Sequence, residues 1–306
     1  MMPVVSVVIS TYNRREKLKR ALQSVFNQTL KDIEIIVVDN ASVDGTDAMV
    51  KGIEDSRISY IKHDTNKGGP AARNTGIKKA RASLIALLDD DDEWFAQKLA
   101  KQVSQMTQAP PDIGLVYVGS EIYDEATDKI LKVNGPQHQG NVYQRLLWGT
   151  ILSSVSSVLV RRECFEKVGD FDETLSSCQD WDMWLRIARY FEFDYVDEIL
   201  VRINMHGEQI STDYAKLIPG RTRMVQKHAE EFAQHPNIYI THLKRIGKLH
   251  CINGTWSLGV IWFQKAIKVR PLEIIKILGW CLLELPLIKY GSPAKYFKKY
   301  KGHLCS

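Results

Sequence analysis

A chain of 306 residues is about twice the usual size of one domain, so it can bury a sizeable core as one large or two modest domains. Hydrophobic residues make up 44% and charged residues 25%, with only 19 Gly and 10 Pro, which excludes a disordered or collagen-like chain. The net charge of +5 conceals an asymmetry: residues 1–218 hold 26 Lys and Arg against 32 Asp and Glu, whereas residues 219–306 hold 15 against 4.

Val4 to Ile9 is a short, β-branched apolar run ending in Ser10-Thr11-Tyr12-Asn13, the pattern of a buried strand and its loop. No basic residue precedes it and it is too short for the apolar region of a signal peptide, so a cytoplasmic chain is expected. Leu18, Leu22, Val25 and Phe26 recur at helical spacing up to Asn27-Gln28. Ile33 to Val38 reads as a second strand, closed by Asp39-Asn40, and Asp44-Gly45 turns the chain into a short helix from about Thr46. Ile58 to Ile61 is a third strand, and Pro70 fits the first turn of a helix running to about Ala80. Leu84 to Leu88 is a fourth, delivering Asp89-Asp90-Asp91-Asp92 at its carboxyl end. This alternation predicts an α/β domain with a Rossmann-like, mostly parallel sheet flanked by helices, because parallel neighbours need crossover connections.

After the aspartates, Trp94, Phe95, Leu99, Val103 and Met106 form an apolar helical stripe. Strands are expected at Ile113 to Val118, Ile130 to Val133 and Val155 to Val160, with a helix near 141–148. Asp180 to Ala188 reads as a helix with Trp181, Trp184, Leu185 and Ala188 on one side. That Trp pair could line a binding site, although such a spacing is more usual in a core. Beyond Pro219 the periodicity is helical, broken at Asn253-Gly254, Pro271, Pro286 and Gly291-Ser292-Pro293. The expected division is a first domain over 1–218 and a basic, amphipathic helical region over 219–306. In the latter, Glu273, Lys276 and Glu284 share a helical face opposite Ile274, Ile277, Cys281 and Leu285. Such a helix either packs on the domain or lies on a membrane surface. Its longest uncharged run, Ile277 to Leu283, is far short of the ~20 residues that span a bilayer. The five cysteines are widely spaced with no CxxC pair, which supports neither a disulfide framework nor a zinc site.

In an open parallel sheet, ligands bind outside the carboxyl ends of the strands. Ser10 to Asn13, Asp39-Asn40 and Asp89 to Asp92 all fall there. Adjacent carboxylates repel and are costly to desolvate, so the aspartate run points to a divalent cation. Hard oxygen donors suit Mg²⁺ or Mn²⁺. A solvated acidic loop capping the next helix is the alternative. There is no GxxxxGK[ST] loop and no GxGxxG after the first strand, so ATPase and simple dehydrogenase readings lose their main support. Gly68-Gly69 could bring backbone N–H groups near a phosphate.

Taken in order, VVSVVISTYNR (Val4 to Arg14), VVDNASVDGTD (Val37 to Asp47), NKGGPAARNTG (Asn66 to Gly76), LLDDDDEW (Leu87 to Trp94) and QDWDMWLR (Gln179 to Arg186) resemble the signatures of family 2 glycosyltransferases with the GT-A fold. The resemblance covers about residues 3–215. It implies that Ser10 and Tyr12, with Asn13 closing the loop, touch the nucleotide, Tyr12 stacking on the base. Asp39 matches the acid that hydrogen-bonds the base, and Arg73 a basic residue near the nucleotide. Asp91 matches the direct metal contact, with Asp89 and Asp90 reaching ribose or metal; the consecutive aspartates leave this register open by one residue. Asp180 matches the catalytic base, while Gln179 stands where a Glu is usual. His206 matches a His on a loop near the diphosphate and is a further candidate metal ligand.

The implied activity is inverting transfer from a nucleotide-sugar donor to the hydroxyl of a saccharide or lipid-linked acceptor, dependent on Mn²⁺ or Mg²⁺, in surface polysaccharide or glycolipid assembly. The enzyme would be cytoplasmic or peripheral at the inner membrane face. Its basic C-terminal region would dock on the enzyme, on a partner or on an anionic membrane surface, and no nucleic acid is expected as a partner. Two alternatives stand beside it. A non-catalytic sugar-nucleotide-binding module would explain Gln179. A sugar-phosphate nucleotidyltransferase would want a Gly-rich, basic loop after the first strand, which Ser10 to Asn13 is not.

Overall fold

The first elements alternate as the sequence reads: β1 (Val5–Thr11), α1 (Arg15–Phe26), β2 (Ile33–Asp39), α2 (Thr46–Lys51), β3 (Ile58–Lys62), α3 (Gly69–Lys79) and β4 (Leu84–Asp89). The structure is a computed structural model and describes residues 2–205 and 214–283. Of the positions singled out above, His206, Glu284, Leu285, Pro286 and Gly291-Ser292-Pro293 lie outside these residues. Every pairing in the order β3-β2-β1-β4 is parallel, since each strand returns through a helix. The alternate residues Val5, Val7 and Ile9 of β1 meet Leu18, Leu22 and Val25 of α1 in one core. On the other face, α3 comes so close that a Cβ on Gly76 would lie 2.2 Å from Val8 Cγ1. The register sets Ser10 beside Asp89 and Thr11 beside Asp39, so three polar strand ends share one edge.

The chain continues through β5 (Asp92–Trp94), α4 (Lys98–Gln108), β6 (Ile113–Asp124), β7 (Lys129–Asn134), α5 (Tyr143–Trp148), a 3-10 turn at Val155–Ser157, β8 (Val158–Arg161), α6 (Arg162–Val168), α7 (Gln179–Ile187) and β9 (Glu192–Met205). These strands extend the sheet in the order β4-β8-β6-β9-β5, with β7 paired to β6. The extension is mixed: β8 runs antiparallel to β4 and β6, whereas β9 runs parallel to β6.

Three local expectations are corrected. Trp94 belongs to β5 and not to the helix, because Asp92–Trp94 pairs with Val201 to Ile203 of β9; Leu99, Val103 and Met106 follow on α4. The strand expected from Val155 begins only at Val158, since Ser154 Oγ accepts the N–H of Ser156 and winds a turn there. The fourteen-residue β9 has no counterpart in the sequence reading, because its residues alternate poorly between buried and exposed. Trp181 and Trp184 are core: Trp181 Nε1 donates to the Leu146 carbonyl at 2.7 Å and Trp184 packs edge-on to Phe171.

Among the described residues two units emerge, 2–146 with 151–173 and 179–205, and 147–150 with 174–178 and 214–283. The second carries α8 (Tyr214–Lys227), α9 (Ala229–Ala233), α10 (Pro236–Ile252), α11 (Trp256–Val269) and α12 (Glu273–Leu283). Gly247 of α10 and Gly259 of α11 allow those helices to approach closely, a Cβ on Gly247 falling 2.6 Å from Phe263. The expected faces of α12 are corrected. Glu273 is buried, held by Lys244 at 2.6 Å and Lys276 at 3.0 Å, and Ile277 is buried beside Trp280, while Ile274 is exposed. An ion pair to α10 turns the acid inward. Among the described residues no helix is long and apolar enough to cross a membrane.

Candidate active site

The turn from β4 into β5 separates the four aspartates by direction. Asp89, Asp91 and Asp92 each offer a carboxylate oxygen, and these oxygens lie within 4.8 Å of one another. Asp90 has other partners: its carboxylate accepts from Thr11 Oγ1 at 2.7 Å and from Arg14 at 3.1 Å. Arg14 also donates to Asp91 at 2.8 Å. Burial opposes the Arg14 charge, but Asp90 and Asp91 outweigh it and hold the guanidinium above its ordinary value. Burial, then Asp91, pushes Asp90 up to about 6, against the pull of Arg14 and Thr11. Asp92 is raised well above the usual carboxylate range by burial and by Asp91 and Asp89. Three convergent carboxylates form an all-oxygen donor set with unfavourable mutual repulsion, which fits a hard divalent cation.

Secondary contacts fix this turn. Asp92 accepts from Ser154 Oγ at 2.9 Å and from Ser156 Oγ at 2.6 Å. Ser156 Oγ also accepts the Asp89 N–H, and its carbonyl accepts from Trp94 Nε1 at 2.8 Å. Asn204 of β9 donates to the Asp91 carbonyl at 2.8 Å and to Glu93 at 3.0 Å. Sequence reasoning gave no role to Arg14, Ser154, Ser156 or Asn204. Only Arg14 carried a signal, as the last residue of the first motif; the others act from far along the chain.

Arg73 of α3 joins this cluster to α7. It donates to Asp89 at 2.7 Å and contacts Gln179 Oε1 at 3.4 Å. Burial works against its charge, yet Asp89, with Asp180 and Asp90, keeps it above its ordinary value. Asp180 stands in the first turn of α7, half-buried, and burial raises its pKa against the Trp181 N–H and Arg73. Asp182, also in that motif, is fully buried and pairs with Arg186 at 2.9 Å, so it serves the packing of α7.

At the neighbouring strand ends, Tyr12 is 44% exposed. Asn13 takes a left-handed conformation (φ 52°), which Asn tolerates; its N–H donates to Ser42 Oγ and its Oδ1 accepts the Val43 N–H. These bonds tie the β1 loop to the β2 loop. Asp39 is fully buried and accepts from the Ser42 N–H at 2.7 Å and from the Tyr60 hydroxyl. Burial and that carboxylate push the Tyr60 phenol up.

Residues 6–169 match the profile of Glycosyl transferase family 2. An uncharacterized glycosyltransferase of Methanocaldococcus jannaschii is 30% identical over 285 residues, covering 90% of this chain and 92% of the relative. WcaA of Escherichia coli, whose name assigns it to colanic acid biosynthesis as a glycosyl transferase, is 30% identical over 239 residues, covering 75% and 83%. Among solved structures, the mannosyltransferase PcManGT from Pyrobaculum calidifontis, in complex with GDP-Man and Mn²⁺, superposes with a TM-score of 0.59 at 19% identity, covering 99% of this chain and 85% of that one. The fold is GT-A, as the sequence motifs imply.

Proposed function

Because the chain belongs to glycosyl transferase family 2, we propose that it moves a sugar from a nucleotide-sugar donor to an acceptor hydroxyl with inversion, in cell-surface polysaccharide or glycolipid assembly. The observation that carries this reading is the convergence of Asp89, Asp91 and Asp92 beside an Arg73 that reaches the start of α7, where Asp180 stands. The Mn²⁺ held by PcManGT and the role in WcaA's name support the cation and the pathway class.

Asp89 and Asp91, backed by Asp92, would hold Mn²⁺ or Mg²⁺, which when bound neutralises charge building on the departing nucleoside diphosphate. Asp180 takes the proton of the attacking hydroxyl; partial burial brings its pKa up towards that task. Gln179 has no titratable group, so its part is to orient Arg73, whose contact it makes through Oε1. Tyr12 stacks on the base, Ser10 and Asn13 shape the loop beside it, and Asp90 anchors Thr11 and Arg14 beneath the site. Asp39, buried with both oxygens engaged, fixes the loop that receives the base. His206 is kept as a candidate cation contact.

The test is release of nucleoside diphosphate from UDP-, GDP- and dTDP-sugars by the purified full chain, with and without Mn²⁺ or Mg²⁺, and NMR of the product's anomeric configuration. Metal-dependent turnover to an inverted product is expected. Nucleotide binding without turnover on a broad donor and acceptor panel would favour the non-catalytic module; a retained configuration would overturn the proposed use of Asp180.

A further inference from the structure

Helix α12 has two apolar faces, and among the described residues one of them packs. Ile277 and Trp280 are buried, the latter against Phe263 of α11 with ring centroids 6.1 Å apart. Ile274, Ile275, Leu278 and Leu282 are exposed, Leu282 by 74%. At helical spacing these four fall within about 100° of arc, a continuous second stripe where a soluble helix ordinarily carries polar residues. On α11, Leu258 and Ile261 are exposed as well.

Charge decides what such a face can meet. Residues 234–283 contain seven Lys and Arg and one acid, Glu273. That acid is buried between Lys244 and Lys276, so it leaves no carboxylate on the surface of these helices. Lys265 and Lys268 are exposed on α11, one and two turns beyond Ile261. A second copy of this face would set positive charge against positive charge. Aliphatic side chains bordered by Lys, on helices whose described residues are too few and too little apolar to span, are the pattern of an interfacial helix whose apolar face enters the acyl boundary while its cations meet acidic headgroups.

We propose that the exposed face of α11 and α12 docks the protein on an anionic bilayer surface. This rests on the helical unit alone and is independent of the glycosyl transfer proposed above.

The test is co-sedimentation of the full chain with vesicles of equal parts phosphatidylcholine and phosphatidylglycerol, against vesicles of phosphatidylcholine alone. Binding to the anionic vesicles should be at least about tenfold stronger and should weaken with added salt. The variant I275Q/L278Q/L282Q, in which only exposed positions change, should reduce that binding about tenfold or more with an unchanged circular dichroism spectrum. K265E/K268E tests the charge contribution separately, so a folding failure of the first variant leaves the question answerable. Equal binding to both vesicles, or undiminished binding by both variants, overturns the proposal; the latter would point to residues 284–306 or another basic surface. A lipid-free dimer in sedimentation equilibrium that the Gln variant abolishes also overturns it and assigns the face to a second copy.

Discussion

The hydroxyl of Ser156 donates to the buried carboxylate of Asp92 across 2.6 Å and accepts the backbone N–H of Asp89 at 3.1 Å. One oxygen thus ties both ends of the aspartate turn, and with it the direction in which Asp89 and Asp91 point. Ser156→Ala should lower Mn²⁺ affinity by about 10–100-fold, as outer-shell partners of metal ligands typically do. It should also cost roughly 1–3 kcal/mol of stability through the lost bond to a buried carboxylate. Calorimetric titration of Mn²⁺ in saturating nucleotide separates the two: a wild-type titration would confine Ser156 to a structural part.

Asp91→Ala and Asp180→Asn should both be nearly inactive, for different reasons. Loss of a general base costs on the order of 10²–10⁴ in rate. Asp180→Asn should keep the Mn²⁺-dependent rise in melting temperature given by a nucleoside diphosphate, whereas Asp91→Ala should lose it. Full turnover in either variant would remove the role proposed for that residue.

Gly76→Ala should be destabilising by about 1–3 kcal/mol, since the added methyl enters the space of Val8 on β1. Val8→Ala in the same chain should recover part of the loss in urea denaturation. A double variant no more stable than the single would show that backbone movement, and not this contact, sets the cost.

His242 of α10 is fully buried, with Nε2 at 2.7 Å from the Leu147 carbonyl and its ring 4.8 Å from that of Phe232. Burial, with smaller contributions from Arg221 and Arg245, lowers its pKa to about 3 despite the Leu147 bond. The unfolded chain, with an ordinary imidazole, binds a proton below about pH 6.5 that the native helix refuses. The stabilisation is therefore complete above that pH and lost as pH falls, at about 1.4 kcal/mol per pH unit. Between pH 7 and pH 5 the wild type should lose about 2 kcal/mol more than His242→Gln, which keeps a donor but does not titrate. Parallel urea midpoints for the two proteins across this range would contradict it.

Much of the parallel half of the sheet was legible because its signals are local. Apolar runs of strand length, helical spacing at Leu18, Leu22 and Val25, and polar closures at Asn13, Asp39 and Asp89 each lie within a few residues of what they specify. Parallel crossovers then bring those closures to one edge, which is why Ser10 lies beside Asp89. The mixed extension was less legible: β9 alternates poorly and is made a strand by its pairing with β6 and β5.

The sequence by itself determined the composition of the site, four aspartates after a buried strand and an acid at the start of a helix, since residue type and the alternation of strand and helix are local properties of the chain. Only the tertiary structure decided which aspartates face one another, that Arg14 and Thr11 take Asp90, that Ser156 clamps Asp92, and which side of α12 is outward. Those choices join residues such as Thr11 and Asp90, or Lys244 and Glu273, that are distant in the chain. A carboxylate settles on the donor that burial leaves within reach, and periodicity along one helix or strand carries no record of that donor.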